Sequence, residues 1–254
     1  MKITIITISY NASDIIEKTM LSVLNQDYDD FEYIIVDGKS SDGTTDKIIN
    51  IKEKFCKKNI PFRFISEKDN GISDAFNKGI SMARGEYIGL INCGDSLLPN
   101  SLLKLSAYLD DCYQIIYGNI IWVDVKRKIE YVRKSKPNKL KNIRNEMCIM
   151  HPSVFVRKDV YEKYGVFDIN YKYCMDQELM ARFYYNKLRF FYVDIEISQM
   201  TSGGISDTQI YRTLQETKKV AKKYGASFIT REFYFLKKLI FNKLSHVLKK
   251  IRKR

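Results

Sequence analysis

Along the first hundred residues, short apolar runs alternate with amphipathic stretches. Lys2–Ile8 is rich in β-branched residues, and Phe31–Val36 (FEYIIV) is apolar enough for a strand buried on both faces. Asp14, with Glu17 three residues later, predicts a capping box that opens a helix running to about Leu24. Thr44–Lys58 and Ser73–Ala83 read as helices, Pro61–Ser66 as extended chain and Glu86–Ile91 as a further strand. Strands spaced by helices of this length predict βαβ units, a parallel sheet and right-handed crossovers. After Pro99 the pattern predicts a helix to about Leu109, then strands at Gln114–Tyr117 and Asn119–Val125, the second able to pair with Lys128–Arg133 as a hairpin. Gln177–Tyr185 reads as a helix headed by Asp176. The rest of the second half is less legible, and no domain boundary shows before the tail.

That tail, residues 231–254, repeats apolar positions at three- and four-residue steps: Leu236, Ile240, Leu244, Val247 and Ile251, widened by Leu239 and Leu248. Lys237, Lys238, Lys243, Lys249, Lys250, Arg252, Lys253 and Arg254 make up its cationic remainder. Two readings fit: a helix lying on an anionic membrane surface, or one packing its apolar stripe on the body.

Composition narrows the classes. The 254 residues are 45% hydrophobic and 29% charged, which suits a globular chain and excludes wholesale disorder. No apolar run reaches the ~18 residues of a membrane span, and the apolar N-terminus is too short for a signal peptide. Five cysteines, an odd number without a CxxC pair, and two histidines argue against a disulfide framework or a structural zinc site. The cysteines read as small buried hydrophobes, and a reducing cytoplasm is the expected compartment. The net charge of +13 is uneven: residues 126–144 and 231–254 each carry +8, leaving the remainder at −3. Such patches point to anionic partners at defined places. Nucleic acid is a weaker expectation, since no basic stripe with interleaved stacking aromatics appears.

In open parallel sheets, ligands sit beyond the carboxyl ends of the strands. Three predicted strands end in polar, turn-prone residues: Ser9-Tyr10-Asn11, Asp37-Gly38-Lys39-Ser40-Ser41-Asp42-Gly43-Thr44 and Asn92-Cys93-Gly94-Asp95. The absence of GxGxxG and GxxxxGK[ST] weakens dinucleotide-oxidoreductase and P-loop readings. What remains is an α/β site with acidic ends that can meet a base, a ribose or a metal.

These stretches carry a resemblance. TIITISYN (4–11), SVLNQDY (22–28), EYIIVDGKSSDGT (32–44), SEKDNGISDAFNKGI (66–80), ARGEYIGLINCGD (83–95), HPSVFVRKDVYEKYGVFD (151–168), CMDQEL (174–179) and GGIS (203–206) together resemble the family 2 glycosyltransferases. The resemblance implies a GT-A fold: an α/β, Rossmann-like, mostly parallel sheet with flanking helices, to which the sequence adds a C-terminal amphipathic helix. It covers residues 1–206, with a nucleotide-sugar half at about 1–98 and an acceptor half at about 99–206. Residues 207–230 would be a helical extension and 231–254 the basic tail. It implies an inverting, metal-dependent transfer from a nucleotide-sugar, a UDP-sugar by preference, to a hydroxyl of a glycan acceptor. The acceptor would be a polyprenyl-linked oligosaccharide of a bacterial surface polysaccharide.

Residue by residue, the resemblance implies that Thr7 and Tyr10 line the nucleotide pocket, that Asp37 accepts from the base edge and that Asp42 sits beside it. Asp74, Asn77 and Lys78 would flank the donor, with Asn92 in the first position of the family's DxD motif. Asp95 would bind Mn²⁺ or Mg²⁺, and Asp176 would be the general base. Two positions depart from the pattern: Asn92 is not acidic, and Met175 stands where an acidic residue often precedes the base. Asn92 also motivates an alternative, a non-catalytic subunit that binds nucleotide-sugar.

The chemistry stands without the family. A nucleoside diphosphate leaves readily only when its charge is stabilised, and a hard cation needs few protein carboxylates if phosphate and water complete its shell. A second carboxylate can deprotonate the acceptor hydroxyl, and a single displacement inverts the anomeric carbon. Asp176 reads equally as a cap in the first turn of a helix. His151 reads as an acceptor contact or a packed histidine, and Gly203 and Gly204 as a diphosphate wrap or a plain turn. Trp122 reads as core before sugar stacking. Phe183–Tyr185 and Phe190–Tyr192 read as packing of the second half.

Overall fold

The computed structural model describes residues 1–110, 112–125, 127–204 and 208–251, with 243–251 as backbone only. Ile205, Ser206, Lys126 and Arg252–Arg254 of the expectations above lie outside the described residues, as do the side chains of Lys243, Leu244, Val247, Leu248, Lys249, Lys250 and Ile251.

The strands are β1 (Ile3–Ser9), β2 (Phe31–Asp37), β3 (Phe62–Ser66), β4 (Tyr87–Leu90), β5 (Ser96–Leu97), β6 (Ile115–Asp124), β7 (Ile129–Arg133), β8 (Val154–Arg157) and β9 (Phe190–Thr201). The helices are α1 (Ile16–Leu24), α2 (Thr44–Lys57), α3 (Ile72–Met82), α4 (Ser101–Ser106), α5 (Lys158–Tyr164), α6 (Met175–Tyr185), α7 (Ile210–Lys223) and α8 (Phe228–Ile251). The strands form one sheet in the order β3-β2-β1-β4-β8-β6-β9-β5, with β7 also paired to β6. β3, β2, β1 and β4 run parallel, β8 runs against both β4 and β6, and β9 runs parallel to β6. The sheet is mostly parallel, with helices on both faces.

The period of two in each strand divides the core. Ile3, Ile5, Tyr33, Ile35 and Ile116 pack on the side of α1, α2 and α4, with Met20, Ile48 and Leu102. Ile6, Ile34, Val36, Ile115 and Tyr117 pack on the other side, with Phe76 of α3, Leu179 of α6 and Val220 of α7. Burial on both faces explains why the central strands read as unbroken apolar runs.

Several expectations change. α1 starts at Ile16 without a side-chain cap, because Ile15 and Ile16 donate their N–H groups to the Ala12 carbonyl at 3.0 and 2.9 Å. A turn carbonyl does the work assigned to Asp14. The two predicted strands around Gly118 are one strand, irregular in register between Tyr117 and Asn119. A Cβ on Gly118 would lie 2.7 Å from the Ile195 carbonyl, so the close approach of β9 requires glycine there. The aromatic run at 190–192 opens β9, a strand the pattern hid. Cys148 and Cys174 are buried, whereas Cys56 and Cys112 are exposed. Trp122 is half-buried rather than core, with the Arg133 guanidinium 4.9 Å from its ring.

β4 and β8 meet where Gly89 faces Phe155, and a Cβ on Gly89 would fall 2.5 Å from the Phe155 ring. Gly89→Ala is therefore expected to lower unfolding free energy by about 1–3 kcal/mol, the usual cost of overpacking. Phe155→Leu in the same chain should recover part of that loss, as urea denaturation midpoints of the single and double variants will register.

Candidate active site

The parallel strands bring three polar ends to one edge of the sheet. At the end of β2, Asp37 is wholly buried. Its carboxylate accepts from Ser9 Oγ (2.9 Å), Ser66 Oγ (2.7 Å), the Ser40 N–H (2.8 Å) and the Ser40 hydroxyl. Asp37 therefore anchors the turn that follows β2, and a base edge would have to displace one of these donors. Thr7 is also wholly buried, its hydroxyl accepting from the Tyr33 phenol at 2.9 Å. It supports the pocket from beneath and does not line it.

Tyr10 does stand at the surface, 68% exposed, at the start of the turn after β1. Its ring lies against Gly38: a Cβ there would come within 3.2 Å of Tyr10 and 2.6 Å of Asp69 Oδ2. Tyr10, Gly38 and Asp69 thus converge. Asp69 falls within a quoted stretch, but nothing in the local pattern singles it out, because the contact spans two loops. Asp42 ties the loop after β1 to the start of α2. Its oxygens accept from the Ser13 N–H (3.0 Å), the Thr44 N–H (3.1 Å) and the Thr44 hydroxyl, which hold its carboxyl well below the usual range.

α3 carries the next group, and most of it faces the protein. Asn77 exchanges two bonds of 2.9 Å with the backbone of Phe167, so its amide clamps α3 to the segment before α6. Asp74 accepts from the Asn70 N–H at 2.9 Å. Lys78 pairs with Glu67 at 2.8 Å, which raises its ammonium above the ordinary value.

Beyond β4, the residues after Ile91 turn back on themselves. Gly94 takes φ +97, and its N–H donates to Thr19 Oγ1 at 3.0 Å. Thr19 in turn donates to the Asp95 carbonyl at 2.8 Å. Asp95 is 5% exposed, and its carboxylate accepts from the Thr201 N–H (3.2 Å) and from Asn92 Nδ2 (3.3 Å). Burial pushes its pKa up to about 6 against the pull of these two bonds. Asn92, the non-acidic position, thus serves Asp95 directly. Thr201, at the end of β9, was not expected in the site.

The described residues bring no group of three His, Cys, Asp or Glu side chains together around a possible metal. Asp95 alone still suits a hard divalent cation, because a buried carboxylate poised toward protonation gains most from an adjacent positive charge.

β8 runs against its neighbours, so the turn before it also reaches this edge. There His151 packs against the stacked pair Phe76 and Phe167, with centroids at 6.1 and 6.2 Å. Burial lowers its pKa, and the charge of Asp176 opposes that shift. Asp176 sits half-buried in the first turn of α6, where Oδ1 accepts the Gln177 N–H at 2.8 Å. Gly203 and Gly204 are exposed beyond β9, and Gly203 takes φ +107.

A mostly parallel sheet with acidic and hydroxyl-bearing turns along its carboxyl edge defines a nucleotide-type α/β site. Residues 4–165 match the sequence model of glycosyl transferase family 2. The chain belongs to that family and is a glycosyltransferase. It is 24% identical over 234 residues to a PGL/p-HBAD biosynthesis glycosyltransferase of Mycobacterium bovis, covering 89% of this chain and 87% of the relative. A GalNAc(5)-diNAcBac-PP-undecaprenol β-1,3-glucosyltransferase of Campylobacter jejuni is 28% identical over 120 residues, 47% of this chain and 38% of its own. Among solved structures, S. aureus TarS 1–349 in complex with UDP-GlcNAc superposes with a TM-score of 0.68 at 19% identity, over 87% of this chain and 64% of TarS 1–349. Mannosyltransferase PcManGT of Pyrobaculum calidifontis, in complex with GDP-Man and Mn²⁺, gives 0.67 at 16% identity, over 92% and 68%. The fold is GT-A.

Asp95 makes a pH prediction. Its folded pKa lies above the unfolded value of about 3.9, so between about 4 and 6 the native state binds more protons than the unfolded state. Stability from this group is full below that window and is lost as pH rises through about 6. In chelator, Asp95→Asn should remove a decline of order 2–3 kcal/mol between pH 4 and pH 7.5. Urea titrations of both proteins at the two pH values measure the difference.

Proposed function

We propose that the chain transfers one sugar from a nucleotide-sugar, a UDP-sugar by preference, to a hydroxyl of a glycan acceptor with inversion at the anomeric carbon. The observation that carries this reading is Asp95, a carboxylate buried at the carboxyl edge where a diphosphate would arrive. Tyr10 offers the base an exposed aromatic face beside Gly38, while Asp37 acts from behind through Ser40. Asp42 holds the turn that meets the ribose, and α3, with Asp74, Asn77 and Lys78, flanks the donor. A divalent cation, Mn²⁺ or Mg²⁺, held by Asp95 would supply neutralising charge to the leaving diphosphate. Gly203 and Gly204, exposed just beyond β9, stand on the diphosphate side in this reading.

Asp176 is the base in this reading: it takes the proton of the attacking hydroxyl as the new glycosidic bond forms and the bond to the diphosphate breaks. His151, whose pKa burial lowers, stands in the field of that carboxylate on the acceptor side. Asp176→Asn should cut turnover by about 10²–10⁴ while the nucleotide-sugar dissociation constant stays within about twofold. UDP release and calorimetric titration in Mn²⁺ measure the two. Retained turnover removes the base assignment, and binding without turnover in the wild type would favour a non-catalytic subunit.

A polyprenyl-linked acceptor of bacterial surface-polysaccharide synthesis places the enzyme on the inner face of the cell membrane. No helix among the described residues is long and apolar enough to cross a membrane. α8 supports peripheral contact. Its Arg231, Tyr234, Phe235 and Lys238 face α7, beside Leu214, Thr217 and Ala221. Ile229, Phe233, Leu236 and Ile240, at steps of four, three and four, form a separate stripe that is exposed, Ile229 by 80%. The helix thus packs on the body with one face and keeps part of its apolar stripe outward, which supports the membrane-surface reading of the tail. Lys237 lies on the exposed side, and each cation near an anionic surface adds about 1 kcal/mol. The triple variant Phe233→Ser, Leu236→Ser, Ile240→Ser leaves the packed face intact. It should lose at least about tenfold in co-sedimentation with phosphatidylglycerol vesicles, whereas phosphatidylcholine vesicles should bind neither protein.

A further inference from the structure

Glu216 of α7 lies outside every stretch that carries the chemistry above, yet it is buried. Its carboxylate gathers three consecutive amides. Oε1 accepts the Lys172 N–H at 3.0 Å, and Oε2 accepts the N–H groups of Tyr173 at 2.7 Å and Cys174 at 3.0 Å. Successive N–H groups turned to one side form a concave anion site, and here the chain supplies the anion itself. A carboxylate in this place also meets the positive end of α6.

The neighbouring contacts act on the same segment. Thr217 Oγ1 donates to Gln177 Oε1 at 3.2 Å, and Cys174 Sγ donates to the Thr213 carbonyl at 3.2 Å. From the opposite side, Ser73 Oγ at the start of α3 reaches the Tyr171 carbonyl at 3.3 Å and Met175 Sδ at 3.0 Å. The residues on both sides of Asp176 are thereby held from α7 and α3. Between the start of α3 and the segment 169–173 lies a cavity of about 220 Å³, with Ile72, Ile169, Tyr171 and Tyr173 on its walls. Glu216 fixes one wall of that cavity through the backbone of 172–174.

We infer that Glu216 is a positioning residue for the reaction, setting both the reach of Asp176 and the wall of the cavity beside it. This rests on the reading of Asp176 as the base. A base displaced by an ångström loses much of its effect, so the carboxylate acts on rate without touching substrate. Its oxygens are committed to the three amides.

The test uses the full chain with Glu216→Gln, which keeps the shape but turns an N–H₂ toward at least one of the three amides, and Glu216→Ala as a second variant. Hydrogen exchange should speed up at least about tenfold at the amides of 172–174 and stay unchanged in β1, β2 and β4. UDP release from UDP-glucose and UDP-GlcNAc in Mn²⁺ should fall about tenfold or more, with the dissociation constants for both donors unchanged. In an Asp176→Asn background, Glu216→Gln should cost nothing further, because a positioning residue then has no base to position. Unchanged exchange at 172–174 overturns the inference, as does a loss that multiplies with that of Asp176→Asn. If Asp176→Asn alone keeps wild-type turnover, the base reading fails instead. If the wild type releases no UDP from either donor, the donor assignment fails, and the exchange measurement still decides whether Glu216 holds the segment.

Discussion

Keeping Asp95 out of water is the constraint around which the carboxyl edge is built. A lone buried carboxylate is unfavourable, and the chain answers with two hydrogen bonds to its oxygens and a third to its carbonyl. Those bonds come from Asn92 in the same turn, Thr19 of α1 and Thr201 at the far end of β9. Satisfying one side chain therefore brings the first helix and the last strand to the same point. It also explains the left-handed turn at Gly94, whose N–H and carbonyl are both used by the threonines that flank Asp95. The incomplete compensation that remains leaves the carboxylate near protonation, a state suited to meeting a cation.

A second theme is the use of acidic side chains as fasteners. Asp37, Asp42 and Glu178 each draw in donors from separate segments, and Glu216 fastens three consecutive amides to α7. Glu178 is wholly buried and takes Arg182, Lys223 and the Tyr224 hydroxyl, joining α6 to α7. Such groups contribute specificity of arrangement more than net stability, because burying each charge costs much of what its partners return. In a site made of turns, specificity of arrangement is what catalysis requires.

The first half was legible because β1, β2 and β4 are apolar on both faces and each ends in turn residues. The missing elements were those whose pattern is mixed. β9 alternates only weakly, since its aromatic start packs on both sides, and β5 is two residues long. Tyr10 and Asp95 stand at the edge as their motifs implied, but Thr7, Asp37 and Asn77 turn their polar atoms inward, which spacing along a chain cannot reveal. Asp69 and Glu216 depend on contacts between distant segments. A lone Glu on a helix of lysines and threonines looks like a solvated face until the fold places three amides over it.

The reversed direction of β8 has a consequence for how such an enzyme changes. In a sheet of parallel strands only segments that follow a strand reach the carboxyl edge, and altering them disturbs the donor side. β8 lets a segment that precedes a strand reach it too, at His151 and the 3₁₀ turn around it. Residues 134–150 lead into that turn and belong to no strand. Changes at exposed positions of this segment can alter that approach while the register of β1, β2 and β4 stays as it is, since its buried Ile143, Cys148 and Ile149 keep it seated on the core. On the function proposed above, acceptor choice and donor binding would then be separately heritable.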